Sequence, residues 1–173
     1  GSQDKTICAW DVAKVKPARR QRQEHTDRSH SVGPVDRVKA VACHDLGGGA
    51  WRVVSGSWDE TIKVWDGAAG GAPLLTLEGH TDEVCAVACH GEGDDWCIVS
   101  GSRDGTVLLW DGAAGAVYPL GSAVKSVALA PRAGEVDVFA AVGKSFARLA
   151  LRASPSQLEA RIKEEQARRA AEA

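Results

Sequence analysis

His80, Ser100 and Asp104 are the residue types of a hydrolytic centre. In such a centre a histidine takes the serine proton and a carboxylate orients the ring. Cys43-His44, Cys85 and Cys89-His90 offer thiolate and imidazole ligands of the kind that hold zinc. Lys14, Lys16, Arg19, Arg20 and Arg22 form a run of cations suited to phosphates or carboxylates. Spacing argues against the first two chemistries. No Gly-x-Ser-x-Gly elbow surrounds Ser100, and no Cys-x-x-Cys pair accompanies the cysteines. Cys43 and Cys89 sit in the same phrase, Ala-Val-Ala-Cys-His, which reads as one small buried core residue used twice. No phosphate-cradling glycine loop occurs either, because the glycines fall in turns. The expectation is no catalytic residue, no metal and no cofactor.

The elements that carry these residues repeat. Ser55-Gly56-Ser57-Trp58-Asp59-Glu60-Thr61-Ile62-Lys63-Val64-Trp65-Asp66 returns as Ser100-Gly101-Ser102-Arg103-Asp104-Gly105-Thr106-Val107-Leu108-Leu109-Trp110-Asp111. A shorter copy, Gly1-Ser2-Gln3-Asp4-Lys5-Thr6-Ile7-Cys8-Ala9-Trp10-Asp11, opens the chain. Each copy reads as a strand end, a tight Gly/Ser/Asp turn and a β-branched, aromatic strand. Trp10, Trp65 and Trp110 stand 55 and 45 residues apart, and a period near 45 with this ending marks a propeller blade.

With Gly79-His80 opening a repeat and Trp110-Asp111 closing its third strand, the chain resembles the WD-repeat family of β-propellers. The resemblance implies an all-β propeller fragment of about three to four blades with a C-terminal α-helix. Residues 1–152 would form the propeller part, as a partial blade (1–24), two full blades (25–78 and 79–120) and a degenerate blade (121–152). A helix would follow over 153–173. It also gives the hydrolase-like residues another role. His80, Ser100, Asp104 and Trp110 match the positions of a structural hydrogen-bond network within one blade. His25, Ser55, Asp59 and Trp65 match the same set in the second repeat, and Asp4 and Trp10 its remnant in the first.

Aligning Asp11 with Asp66 puts His25 on His80 and makes 17–23 an outer strand. An insertion at 28–36, marked as a loop by Gly33-Pro34, precedes the second blade. Strands are expected at 37–43, 51–56, 61–65 and 73–77, then at 83–89, 96–101, 106–110 and 116–120. The last repeat has strands at 123–130, 136–142 and 146–151, with Ala150 where Trp belongs, no turn Asp and no fourth strand. Ser154, Pro155 and Gln157 read as helix cap, first turn and capping box. The helix carries only Leu158 and Ile162 as large apolar residues, so a solvated helix is expected, with a coiled coil as the alternative.

Bulk properties fit a globular protein with 44% hydrophobic and 25% charged residues. A net charge of −2 makes no case for wholesale nucleic-acid or membrane binding, and no apolar stretch approaches the ~18 residues of a membrane span. Five cysteines in no framework suit a reducing, intracellular setting, cytoplasmic or nuclear. The absence of methionine and the start within a repeat suggest a fragment. In the family, turns after second strands share one partner-binding face. Here that face would show Gln3, Trp58 and Arg103, joined by Arg28 and His30. The function expected is a non-catalytic scaffold for other proteins, with missing sequence or further copies completing the ring. The alternative is an acidic or phosphorylated ligand, RNA included, at Lys14, Lys16, Arg19, Arg20 and Arg22. The bland reading of those cations is protection of an outer strand against aggregation.

Overall fold

A computed structural model describes residues 10–11, 16–17, 37–69, 72–111, 115–132, 135–152 and 157–172. Of residues 10–11, 16–17, 131–132 and 152 it describes the backbone alone. β1 (Trp10–Asp11) pairs antiparallel with β2 (Lys16–Pro17). β3 (Val38–Gly47), β4 (Ala50–Ser57), β5 (Ile62–Asp66) and β6 (Leu75–Leu77) form a four-stranded antiparallel meander. β7 (Val84–Glu92), β8 (Asp95–Ser102), β9 (Thr106–Trp110) and β10 (Ala116–Pro119) repeat it. β11 (Val124–Arg132), β12 (Glu135–Val142) and β13 (Ser145–Arg152) form a three-stranded sheet, and α1 spans Leu158–Ala171. β3 packs beside β7, and β7 beside β11, so the first strands of successive blades are neighbours. The sheets form an open propeller fragment, not a closed barrel.

The middle of the β7–β10 sheet must be apolar on both faces, because each face meets a neighbouring blade. β8 is accordingly buried from Trp96 to Ser102 without alternation. Ile98, Leu108 and Trp110 join Val54, Ile62 and Val64 in the cluster between the second and third blades. Cys97, Val99, Val107 and Leu109 join Val124, Val138 and Leu151 in the next. The repeated Ser-Gly-Ser brings the blades close. A Cβ on Gly56 would lie 2.6 Å from Val84 Cγ1, and one on Gly101 2.5 Å from Val124 Cγ1. Leaving out that Cβ lets each valine seat on the preceding blade.

Four expectations are corrected. The first hairpins run further out than expected: Gly47 still pairs with Ala50, and Glu92 with Asp95. The glycines expected in a turn lie within that longer hairpin, with Gly47, Gly48 and Gly49 all at positive φ. Cys43 is exposed rather than buried. Ala40 and Ala42 pack on the inter-blade cluster, and strand alternation puts Val41, at 44% exposure, and Cys43 on the other side of β3.

In the last blade, Leu149 and not Ala150 takes the Trp position. Ile98 pairs with Trp110, and the equivalent Val138 pairs with Leu149. The β12–β13 turn is shorter by one residue, which moves the register. Finally, α1 is docked rather than solvated, since Leu158 and Ile162 are both 0% exposed. Its N-cap is Gln157, with no side-chain cap bond. Ser154 and Pro155, assigned to the cap, lie outside the described residues.

Gly56→Val is expected to destabilise the fold by about 1–3 kcal/mol, the usual cost of overpacking. Adding Val84→Ala should recover part of that loss. Urea unfolding of the two single variants and the double variant checks this, and strict additivity would contradict the close approach.

Candidate functional site

The third blade brings His80, Ser100, Asp104 and Trp110 into one chain of hydrogen bonds. Trp110 Nε1–H donates to Ser100 Oγ at 2.9 Å. Ser100 Oγ and His80 Nε2 are 2.8 Å apart, and His80 Nδ1 and Asp104 Oδ2 are 2.9 Å apart. With a neutral imidazole, one proton arrangement satisfies these contacts. The serine hydroxyl accepts from the indole and donates to Nε2, while Nδ1–H donates to the carboxylate. Asp104 also accepts from Thr106 Oγ1 at 2.6 Å, from Thr106 N at 2.8 Å and from Thr81 N at 3.0 Å. Ser102 Oγ caps the turn, accepting from Asp104 N at 3.1 Å and donating to Asp82 O at 2.9 Å. One acid thus ties the segment entering β7 to the β8–β9 turn.

Burial pushes the His80 imidazole below its ordinary value, against the hydrogen bond and charge of Asp104. Burial raises the Asp104 carboxyl, but hydrogen bonds from Thr106, Thr81 and His80 outweigh it and hold the group low. A neutral imidazole beside an ionised carboxylate results. Ser100 is 0% exposed.

In the second blade Trp65 Nε1–H donates to Ser55 Oγ at 2.8 Å. Asp59 accepts from Thr61 N at 3.0 Å and Thr61 Oγ1 at 2.6 Å. Lys63 was not anticipated: it is buried and pairs with Asp59 at 3.2 Å. Its signal was a cation where the third repeat has Leu108. Glu60 holds a positive φ of 67°, the position that Gly105 fills in the next blade. Asp4 and His25 lie outside the described residues, and of Trp10 only the backbone is described.

The turns after β4 and β8 emerge at the same end of the blades. Trp58 N donates to Arg37 O at 3.1 Å, and Arg103 N to Glu83 O at 3.0 Å. Trp58 is 42% exposed. The Arg37 guanidinium lies 4.9 Å from its ring centroid and Lys39 Nζ 5.2 Å. The turn tryptophan, for which the sequence offered no packing role, therefore has two cations over its ring, each worth about 0.5–1 kcal/mol at an exposed site. Lys39 and Arg103 then meet on Glu83, at 3.6 and 3.3 Å, across the blade boundary. Gln3, Arg28 and His30, expected on this face, lie outside the described residues, as do Lys14, Arg19, Arg20 and Arg22. Lys16 is described in backbone only, within β2.

The cysteine–histidine pairs do not converge. His44 stacks on Trp96 with centroids 4.7 Å apart, and its Nε2 bonds Gly93 O at 2.8 Å. Among the described residues no group of three or more His, Cys, Asp or Glu gathers to hold a metal ion. Burial pushes the Cys89 thiol up to about 12 and that of Cys97 to about 11. Cys8 lies outside the described residues.

The family model of the WD domain, G-beta repeat, matches residues 22–66 and again 71–111. The chain belongs to the WD-repeat family. The mouse peroxisomal targeting signal 2 receptor is 42% identical over 79 residues, 46% of this chain and 21% of that protein. Coatomer subunit beta'-1 of Arabidopsis thaliana is 37% identical over 93 residues, 53% of this chain and 9% of that protein. The WDR12 homolog of Trichoplax adhaerens, a ribosome biogenesis protein, is 53% identical over 36 residues, 21% of this chain and 8% of that protein. The solved structure of U3-55K superposes with a TM-score of 0.57 at 22% identity, covering 87% of this chain and 46% of that one. The WD-repeat chain thus spans about a fifth or less of these curated relatives.

Asp104→Ala should lower stability by about 1–3 kcal/mol, the cost of unpaired buried partners. Because the folded pKa of His80 is depressed, its contribution is full above the unfolded value of about 6.5 and fades as pH falls below it. The Asp104 contribution fades only lower, through the carboxylate range. Thermal unfolding between about pH 7 and pH 5 checks the sign: the midpoint should drop more in the wild type than in His80→Gln.

Proposed function

We propose that the chain is a non-catalytic platform that offers its turn-bearing face to partner proteins, with Trp58 as the anchor and Arg103 beside it. The exposed Trp58 carries this reading. A large aromatic ring, held in a turn by Arg37 and Lys39 yet 42% open to solvent, has the character of a binding hot spot, where Trp and Arg are enriched. Loops set on a rigid sheet scaffold are the usual place for recognition. Gln3, Arg28 and His30 would extend the same face.

The serine–histidine–aspartate set supports the same conclusion from the other side. Ser100 is sealed from solvent and already accepts an indole N–H, so a substrate carbonyl has no approach to it. His80, Ser100, Asp104 and Trp110 serve as architecture, as do His25, Ser55, Asp59 and Trp65 and the remnant Asp4 and Trp10. A receptor and a coat subunit among the relatives favour recognition over turnover. The greater length of those relatives favours completion of the ring by further repeats. Free thiols at Cys43, Cys85, Cys89 and Cys97 suit an intracellular setting. Among the described residues no helix is long and apolar enough to cross a membrane. The alternative of an acidic or phosphorylated ligand, RNA included, along Lys14–Arg22 gains no support from the relatives and is not retained.

Trp58→Ala should leave the thermal midpoint nearly unchanged while reducing quantitative capture of cellular proteins about tenfold, equivalent to ~1.4 kcal/mol of binding. Val117→Ala, at another exposed apolar site, should capture as the wild type does. Equal capture by all three would contradict the assignment of the face.

A further inference from the structure

α1 crosses the seam between the second and third blades at the strand ends opposite Trp58 and Arg103. Gln157 N donates to Asp111 O at 2.6 Å. Leu158 and Ile162 enter the buried cluster that holds Leu74 and Leu75 of the second blade and Trp96 of the third. Between these two pegs Glu159, 3% exposed, receives a forked pair of bonds from Arg52, at 2.8 and 3.2 Å. Lys163 pairs with Asp94 at 2.9 Å. The seam therefore reads four positions of a helix: an apolar residue, the acid next to it, an apolar residue one turn on, and the base after that.

Three features make this occupant removable. Beyond Ile162 the helix is mostly exposed, with Arg169 Nη1 donating to Pro73 O at 2.7 Å, and an isolated helix of 14 residues is marginal in water. Arg52 also holds Asp66 at 3.4 Å, so losing Glu159 does not strand a buried charge. Trp96 Nε1 is buried with no hydrogen-bond partner among the described residues. Docking thus leaves the groove imperfectly satisfied.

We propose that this seam is a helix-docking groove, filled by α1 in the resting chain and open to a partner protein's helix with the same apolar–acidic–x–x–apolar–basic face. Arg52 and Asp94 supply the charge complement that selects it. This site lies at the opposite end of the blades from Trp58 and does not depend on the role of that residue.

The test uses the full chain with Leu158→Asp and Ile162→Asp, which stop α1 from docking in cis, and a fluorescent peptide spanning residues 157–172. Anisotropy should show the peptide binding this variant at least tenfold more tightly than it binds the wild type. Arg52→Ala in the same background should weaken the natural peptide about tenfold yet hardly affect a Glu159→Ala peptide, the coupling expected of a direct pair. Equal affinity for variant and wild type, or equal loss for both peptides, would overturn the proposal. Loss of cooperative unfolding in the double variant would also overturn it, because α1 would then be an inseparable part of the core.

Discussion

The directed hydrogen bonds from Trp110 through Ser100 and His80 to Asp104 are the constraint on which the third blade depends. Every member is bonded to the next, so none can change type without leaving a buried polar group unpaired. The set adds side-chain bonds to the strand ladder, tying the segment entering β7 to the middle of β8 and the end of β9. Ionised Asp104 then organises the turn through Thr81, Thr106 and Ser102. A turn held this firmly can carry Arg103 at a defined place, and this links the buried polar set to the exposed face.

In the second blade the same indole–serine contact recurs, and a buried lysine joins the acid. Trp65 and Ser55 keep their contact, while Lys63 comes from the neighbouring strand position to meet Asp59. A buried cation is tolerable there because its carboxylate is already fixed by Thr61. The last blade has lost the acid and the indole together, and its shorter turn closes without them. The contact between blades is of another kind. There, apolar faces meet through the missing side chains of Gly56 and Gly101, and α1 spans one seam with two aliphatic pegs and two ion pairs.

Much of this was legible in the repeats. The copies at 55–66 and 100–111 placed the strands and turns, and Trp65 and Trp110 marked the third strands, because these signals are local and periodic. What could not be read depends on residues far apart in the chain or on small shifts of register. Leu158 and Ile162 alone looked too narrow a stripe for a docked helix. Their groove is built by Leu74 and Trp96, and Arg52 lies 107 residues from Glu159. Leu149 replaces Ala150 at the indole position because one residue is missing from a turn. Cys43 looked equivalent to the half-buried Cys89 by sequence, yet differs in exposure because burial depends on what each blade faces. The cations beside Trp58 were visible as residues but not as ring partners.

The most direct test is the protonation of His80, observed by long-range proton–nitrogen NMR of the imidazole. A neutral ring with its proton on Nδ1, protonating below the ordinary histidine value of about 6.5, is the expected result. A ring protonated on Nε2 at neutral pH, or one that titrates like a free histidine, would contradict the directed chain and the architectural role of Ser100 and Asp104.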